Sequence, residues 1–149
     1  MSEINFDARS LLLREYHGIL STHSIAAPGY PFGSVVPYCL DRDGQPVILI
    51  SSIAQHTKNI QENSKVSLIV SEGKANNVQA AARLTWLGNA NIIADDEDIS
   101  TRYYQYFPES RDYHKTHDFN FYRIELVRAR YILWLWGHSL DRTETVSVY

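Results

Sequence analysis

The 149-residue chain has one cysteine, no surplus of positive charge and no long apolar run. The single Cys39 excludes an internal disulfide. A net charge of −3 supplies no basic field that would recruit nucleic acid, and no window approaches the ~18 apolar residues of a membrane span. The start, MSEINFDARSL, lacks the basic and apolar regions of a signal peptide. We therefore expect a cytoplasmic protein that binds small molecules or proteins, without nucleic acid or membrane.

Familiar catalytic and metal-binding motifs are also missing. No GxSxG, P-loop or GxGxxG run occurs, so no sequence motif indicates acyl transfer or a common nucleotide-binding fold. His114 and His117 are spaced as two ligands on one helix face would be, but no cysteine or carboxylate completes a convincing tetrahedral set. We predict no metal site and place these histidines in a solvated turn.

What the chain does have is a strand–helix–strand pattern over residues 46–70. Residues 47–50 form a continuous apolar run and residues 65–70 alternate polar and apolar, so both are predicted strands. Between them, Ser51 and Ser52 are predicted to cap a helix of about two turns, with Ile53 and Ile60 on one face. Such a helix start attracts anions. Hydroxyl and cationic side chains surround it: Ser51, Ser52, His56, Thr57 and Lys58. Two interpretations are open, a phosphate site or a plain capping serine beside solvated residues.

Two further helices are predicted on either side of this pattern. The first begins at Asn5 or Asp7 and ends before Gly18, with an apolar stripe that includes Ala8, Leu11 and Leu12. The second begins with the acidic residues 95–98 and stops at Pro108, and residues 109–115 form one more turn.

The remaining patterns predict short antiparallel strands. These cover residues 18–24, 34–40, 82–94, 118–126 and 129–136. Pro37 indicates an edge strand or bulge, and Gly88 a bend or bulge. The polar tail after His138 is expected to be loosely held. Together with the two strands of the strand–helix–strand pattern and the small flanking helices, these strands predict an α+β domain whose sheet closes on itself.

Two stretches carry a family resemblance: GYPFGSVVPYCLDRDGQPVILISSIAQHTKNIQENSKVSLIV and AARLTWLGNANII. They resemble the pyridoxamine 5'-phosphate oxidase-like, flavin-binding split-barrel superfamily, in the branch of the haem-utilisation proteins and cellular-repressor glycoproteins. The resemblance covers residues 6–136. It implies a six-stranded antiparallel split β-barrel, with residues 1–149 as a single FMN-binding domain. It also implies a homodimer with two FMN sites at the subunit interface, each built from both chains.

Carried over by position, the resemblance also implies which residues hold FMN. The second strand lines the edge of the isoalloxazine, the helix start holds the phosphate, and Arg83 lies near the cofactor, although an exposed surface position explains Arg83 equally well. Trp136 and His138 lie near the expected dimer cleft, where an aromatic run is more often core or interface. The candidate cofactor-binding residues are Ser34, Val35, Val36, Pro37, Tyr38, Ser51, Ser52, His56, Thr57, Lys58, Arg83, Trp136 and His138.

Three departures from the family pattern shape the functional hypotheses. The run SVVPY has no basic residue, where the vitamin B6 oxidases have an arginine-to-lysine pattern. The end, WLWGHSLDRTETVSVY, lacks their arginine- and histidine-containing substrate motif, so we reject vitamin B6 oxidation. Haem-degrading relatives usually have an extended C-terminal region with a ligating histidine, and this chain stops about a dozen residues after its last predicted strand.

The first hypothesis is a homodimeric flavoprotein that uses FMN to pass electrons or a hydride to an unidentified small substrate. Two alternatives belong to other classes. One is a haem-binding or haem-degrading protein with His138 or His23 as axial ligand. The other is a cofactor-free split barrel that acts through its surface.

Overall fold

A computed structural model describes residues 3–73, 77–115, 118–135 and 138–142 of the protein. No helix in these ranges is long and apolar enough to cross a membrane. The elements in chain order are α1 (Glu3–Arg14), β1 (His17–His23), β2 (Pro31–Pro37), β3 (Cys39–Leu40), β4 (Pro46–Ser51), α2 (Gln55–Glu62), β5 (Lys65–Ser71), a 3-10 turn (Val78–Ala80), β6 (Arg83–Ile92), α3 (Glu97–Tyr106), α4 (Ser110–His114), β7 (Phe119–Leu135) and β8 (His138–Arg142).

The strands form one antiparallel sheet in the order β2-β1-β5-β6-β7-β4-β3, and β8 pairs with the far part of β7. β2 and β3 lie at opposite ends of this order, yet only Tyr38 separates them in the chain. The two ends of the sheet must therefore approach each other, so the sheet curls into a barrel that is split between β2 and β3. The predicted α+β split barrel is confirmed, with seven strands on this path instead of six.

The single strand predicted over residues 34–40 is two strands with different partners. Pro31–Pro37 pairs with β1, and Cys39–Leu40 pairs with β4. Between them, the Tyr38 amide donates to the Tyr16 carbonyl at 3.0 Å and the Tyr38 hydroxyl donates to the Leu12 carbonyl at 2.7 Å. Tyr38 is thus bonded to the end of α1 and the residues after it instead of a neighbouring strand. Pro37 does lie on an edge strand, as its missing N–H predicted.

The last two predicted strands are one strand of 17 residues, β7. Leu87 of β6 pairs with Arg128, and the next residue, Gly88, pairs with Leu126. The extra residue, Val127, forms a β-bulge, which lets the strand continue where the sequence pattern breaks. The register shifts between Leu87 and Gly88, where a bend or bulge was predicted, but the extra residue belongs to β7 and not to the strand of Gly88. The tail was expected to be loose, but His138–Arg142 instead pairs with β7 as β8.

Two hydrophobic clusters lie on the two faces of β4, which explains its uninterrupted apolar sequence. Ile48 and Ile50 pack in the barrel interior, and Val47 and Leu49 pack on the other side against Ile99 and Tyr103 of α3. A strand buried on both faces has no position for a polar residue. The predicted stripe of α1 closes the interior cluster: Ala8, Leu11 and Leu12 are all buried there. Cys39 is buried in the second cluster, between β4 and α3.

The helices after β6 follow the prediction closely. The Ile99 amide donates to the Asp96 carboxylate at 2.8 Å, so Asp96 caps α3. Glu97 and Asp98 lie in the first turn, where negative charge is favourable. α3 ends at Tyr106, shortly before Pro108, and α4 adds the one further turn.

We expect Gly88→Ala to destabilise the protein by about 3 kcal/mol. A Cβ atom at Gly88 would lie 2.4 Å from the Glu125 carbonyl oxygen and 2.8 Å from Cγ2 of Ile124, so β6 and β7 would have to separate. Gly33→Ala in β2 is the matched control, because its new Cβ would meet only Cγ2 of Ile19, at 3.8 Å. Urea unfolding followed by tryptophan fluorescence measures both. An equal loss of stability in the two variants would contradict the special role of this close approach.

Candidate functional site

The outer face of the sheet, away from the barrel interior, carries exposed apolar side chains. Val35 and Val127 are 72% and 62% exposed, and Ile19 and Leu87 are exposed as well. The register places Val35 opposite Ile19 and Ile19 opposite Ile69, so one apolar row crosses β2, β1 and β5. Single exposed apolar residues are ordinary, but a continuous patch indicates a ligand or a partner.

A groove of about 570 Å³ lies on this face. Its size is within the range of small-molecule and cofactor sites. Residues of β1, β2, β5, β6 and the β7 bulge line it: Ser21, Thr22, His23, Gly29, Pro31, Lys65, Val66, Ser67, Leu87, Gly88 and Val127. The bulge therefore contributes directly to the groove, because it is Val127 that forms part of the wall.

Positive side chains border the groove. Lys65 lines it, and the exposed Arg128 lies opposite Leu87 in the ladder. Arg83 is on the same face at the start of β6 and is half-buried. None of these three forms an ion pair with a described residue. They are thus available to the anionic groups of a ligand.

Two histidines of β1 lie on the outer face. His23 is exposed and lines the groove. His17 is exposed on the same side of the strand, six residues earlier, and its ring meets Tyr16 edge-on at 5.7 Å between centroids. His17 does not line the groove. The two imidazoles therefore differ in whether a bound molecule can reach them.

The start of α2 differs from the prediction. Its N-cap is Ala54, with no side-chain capping bond. The Ser52 hydroxyl donates to Oδ2 of Asp118 at 2.7 Å, and the Ser52 amide donates to the Asp118 carbonyl at 2.8 Å. Ser51 Oγ accepts from the Ile53 amide at 3.3 Å. The predicted cap by Ser51 and Ser52 is therefore wrong. A carboxylate lies beside the hydroxyl that was expected to contact a phosphate.

The other residues of this helix start have different surroundings. Lys58 is exposed, whereas Thr57 is buried and its hydroxyl makes no hydrogen bond with a described residue. His56 Nδ1 lies 3.3 Å from the Ser34 hydroxyl, and its Nε2 is buried without a described partner. Burial lowers the pKa of His56 below its ordinary value, because desolvation disfavours the charged ring. The structure thus joins two of the predicted residues, Ser34 and His56.

The remaining predicted residues are dispersed. Val35 and Pro37 are exposed on the outer face, whereas Val36 and Tyr38 are buried among core residues. His138 begins β8, but its side chain lies outside the described residues, as does the whole of Trp136.

One residue that the sequence did not single out fixes α2 in place. Asn59 is fully buried, and its amide donates to Thr22 Oγ1 at 3.0 Å. Its carbonyl oxygen accepts from the Ile25 amide at 3.2 Å and from the Gln55 side chain at 3.0 Å. In the sequence, its position next to the apolar Ile60 on the predicted helix could have indicated that Asn59 is buried. Ile53, which was predicted on the apolar face, is instead exposed before the helix starts.

The prediction of a solvated turn around His114 is wrong. His114 is only 5% exposed, and its ring lies edge-on to Phe121, with 4.8 Å between centroids. Its companion, His117, lies outside the described residues. In the described ranges there is no group of three or more histidine, cysteine or acidic residues that could hold a metal ion.

The chain matches one protein family over most of its length. Residues 3–139 match the family described as CREG, beta-barrel. The chain belongs to the CREG beta-barrel family. The recognition of the pyridoxamine 5'-phosphate oxidase-like split barrel, in the branch of the haem-utilisation proteins, is thereby confirmed.

Two curated proteins are similar to this CREG-family chain. It is 33% identical over 128 residues to the chloroplastic non-canonical haem oxygenase HOZ of Arabidopsis thaliana, covering 85% of this chain and 39% of HOZ. It is 30% identical over 88 residues to the haem oxygenase HutZ of Vibrio cholerae, covering 58% of this chain and 49% of HutZ. The chain thus spans less than half the length of these relatives.

A solved structure, that of a haem-binding protein from Mycobacterium smegmatis, superposes with a TM-score of 0.81 at 23% identity. The match covers 96% of this chain and 59% of the other. At this identity, the likeness shows that the two proteins share the fold.

We expect the stability of this CREG-family protein to fall between pH 7.5 and 5, and His56→Gln to remove part of that fall. In the folded protein, the pKa of His56 lies below the ordinary histidine value of 6.5, because the ring is partly buried. As the pH drops, the unfolded chain therefore takes up a proton before the native state does, and the native state loses stability. Above the unfolded pKa this loss is absent.

Urea unfolding at several pH values measures this effect, with His17→Gln at an exposed position of β1 as control. The control is expected to keep the pH dependence of the wild type. A His56→Gln variant with the same dependence as the wild type would show that burial of this imidazole has no part in it.

Proposed function

We propose that this protein binds haem in the groove on the outer face of its sheet, where His23 would hold the iron. The groove itself carries the proposal, because it combines an apolar wall, an imidazole and cations on one face. The names of the similar proteins support it: two are haem oxygenases and one is a haem-binding protein.

The residues of the groove fit the three requirements of a haem site. A flat macrocycle needs apolar walls, which Leu87 and Val127 supply. The iron needs a donor such as imidazole, which His23 supplies. The two propionates need cations, and both Lys65 and Arg128 are without an ion pair among the described residues.

When bound, haem would supply iron redox chemistry, and the protein would supply binding, orientation and the exclusion of water. His23 would have to be neutral at the coordinating nitrogen, because a protonated nitrogen has no lone pair. The hydroxyls of Ser21 and Ser67 lie in the same groove and can bond to the polar edge of a ligand. Because both curated relatives are named haem oxygenases, we extend the proposal to oxidative haem breakdown.

FMN has weaker support as the cofactor. A phosphate at the start of α2 would meet the Asp118 carboxylate, which already accepts the Ser52 hydroxyl. The negative phosphate and the negative carboxylate would repel each other, and the exposed Lys58 would be the main cation to offset that repulsion. FMN and a cofactor-free protein are therefore outcomes that the haem experiment must distinguish.

We also propose that two copies of the chain pack through the outer face, as the family resemblance implies. The apolar row of Val35, Ile19 and Ile69 extends beyond the groove, so haem alone would leave part of it in water. A two-fold partner that presents the same face would cover it.

Titration of haem into the purified protein is expected to produce a Soret band, and His23→Ala is expected to weaken binding by about a hundredfold. His17→Ala is the matched control, because this histidine is on the same strand and face but outside the groove. Equal affinity in the His23→Ala variant and the wild type would overturn the assignment of the ligand. Flavin bands in the protein as purified, with no haem affinity, would favour FMN.

Loss of the Soret band when the haem complex is incubated with ascorbate in air tests haem breakdown separately. Haem that binds through His23 but stays intact would limit the function to haem binding. A bound haem that disappears only in the wild type and in His17→Ala, with the release of iron, would support the oxygenase activity.

Light scattering at micromolar concentration is expected to give twice the 17.1 kDa mass of one chain. Val35→Glu should shift the protein towards the monomer, because a charge in the centre of an apolar contact is costly to bury. Leu13→Glu, at an exposed position of α1, is the control that should leave the mass unchanged. A wild-type monomer would contradict the dimer.

A further inference from the structure

A chain of three polar side chains lies apart from the groove, where α3 and α4 meet β7. The Tyr104 hydroxyl oxygen lies 2.5 Å from His114 Nδ1. On the other side of the ring, His114 Nε2 lies 3.5 Å from Oδ2 of Asp95. With Nε2 protonated towards Asp95, Nδ1 has its lone pair free for the Tyr104 hydroxyl.

The surroundings hold this arrangement in place. The Ser100 hydroxyl donates to Oδ1 of Asp95 at 2.5 Å, which leaves Oδ2 as the oxygen that faces His114. His114 is packed against the ring of Phe121. An imidazole that is buried and contacted at both nitrogens keeps one orientation.

Tyr104 is also accessible from outside. It lines a surface cavity of about 490 Å³ together with Ser100, Thr101, Arg111 and Lys115. Tyr104 thus has an open cavity on one side, with the buried imidazole at its hydroxyl. The guanidinium carbon of Arg111 lies 5.1 Å from the centre of the Tyr104 ring.

We propose that Tyr104 is the nucleophile of an acyl-transfer site that takes small uncharged esters, with His114 as general base and Asp95 as the residue that orients it. The roles are those of a serine–histidine–aspartate triad, which is defined by geometry and not by fold or sequence order. Tyrosine is among the side chains that form covalent intermediates when a base is adjacent. An uncharged substrate fits the cavity because three carboxylates, those of Asp95, Asp96 and Glu97, face two cations there.

The reaction requires no oxidant or metal. The Tyr104 oxygen bonds to the ester carbonyl carbon as its proton passes to His114 Nδ1. The bond from that carbon to the leaving oxygen then breaks, and the leaving group takes the proton from His114. Arg111 lines the same cavity, where its positive charge would favour the negative carbonyl oxygen. Water hydrolyses the resulting aryl ester, which releases the acid and restores Tyr104.

The experiment uses 4-nitrophenyl acetate with the full-length protein. We expect release of 4-nitrophenolate and an acetyl group on Tyr104, located by mass spectrometry of peptides. Tyr106, which is more exposed and two residues further along α3, is the internal control. Tyr104 should be acetylated about a hundredfold faster than Tyr106, the gain that a positioned base provides. Tyr104→Phe should abolish the acetylation-coupled release, and Tyr106→Phe should leave it unchanged.

His114 is buried, so its replacement can unfold the region. Asp95→Asn is the better variant, because Asp95 is 46% exposed. It should lower the acetylation rate of Tyr104 about tenfold while unfolding by urea remains close to that of the wild type. If Tyr104 is acetylated no faster than Tyr106, or if Tyr104→Phe releases nitrophenolate at the wild-type rate, the proposal is wrong and the three residues only join α3 to α4. Neither result depends on haem binding.

Discussion

The close approach of β6 and β7 at Gly88 is the constraint on which most of the structure depends. Only a residue without a side chain lets the Glu125 carbonyl come so near. On the same two strands, the indole of Trp86 donates to the Ile124 carbonyl at 3.1 Å in the barrel interior. The register changes at this point, so Val127 of β7 has no partner in β6 and forms a bulge. Strand β7 therefore belongs to the barrel and, through Val127, also lines the groove. Both the pairing of β6 with β7 and the shape of the groove therefore depend on the close approach at Gly88.

Buried polar contacts position the elements around this wall. Asn59 joins α2 to β1, and Arg123 of β7 pairs with the buried Asp41 of the β3–β4 hairpin at 2.6 Å. A buried polar group without a partner costs more than a satisfied one contributes, so such contacts select one arrangement over its alternatives. The same logic applies to His114, whose ring nitrogens face Tyr104 and Asp95.

Electrostatics separate the two cofactor hypotheses more clearly than the fold does. A split barrel can serve haem or flavin, since a fold alone does not determine chemistry. Here the start of α2 places the carboxylate of Asp118 against Ser52. The outer groove has Lys65 beside its apolar walls, and Arg128 lies at its border, opposite Leu87. The resemblance correctly implied the barrel. The charges around each candidate site are the basis on which we propose haem over FMN.

The sequence by itself determined the features that depend on neighbours along the chain. These include the buried stripe of α1, the acidic cap of α3 and the bulge beside Gly88. It did not reveal that Ser52 bonds to a residue 66 positions later, that residues 34–40 divide between two ends of the sheet, or that His23 lies in a groove. Periodicity and capping act over a few residues. A contact between distant residues depends on strand order and register, and these are decided only when the whole core packs.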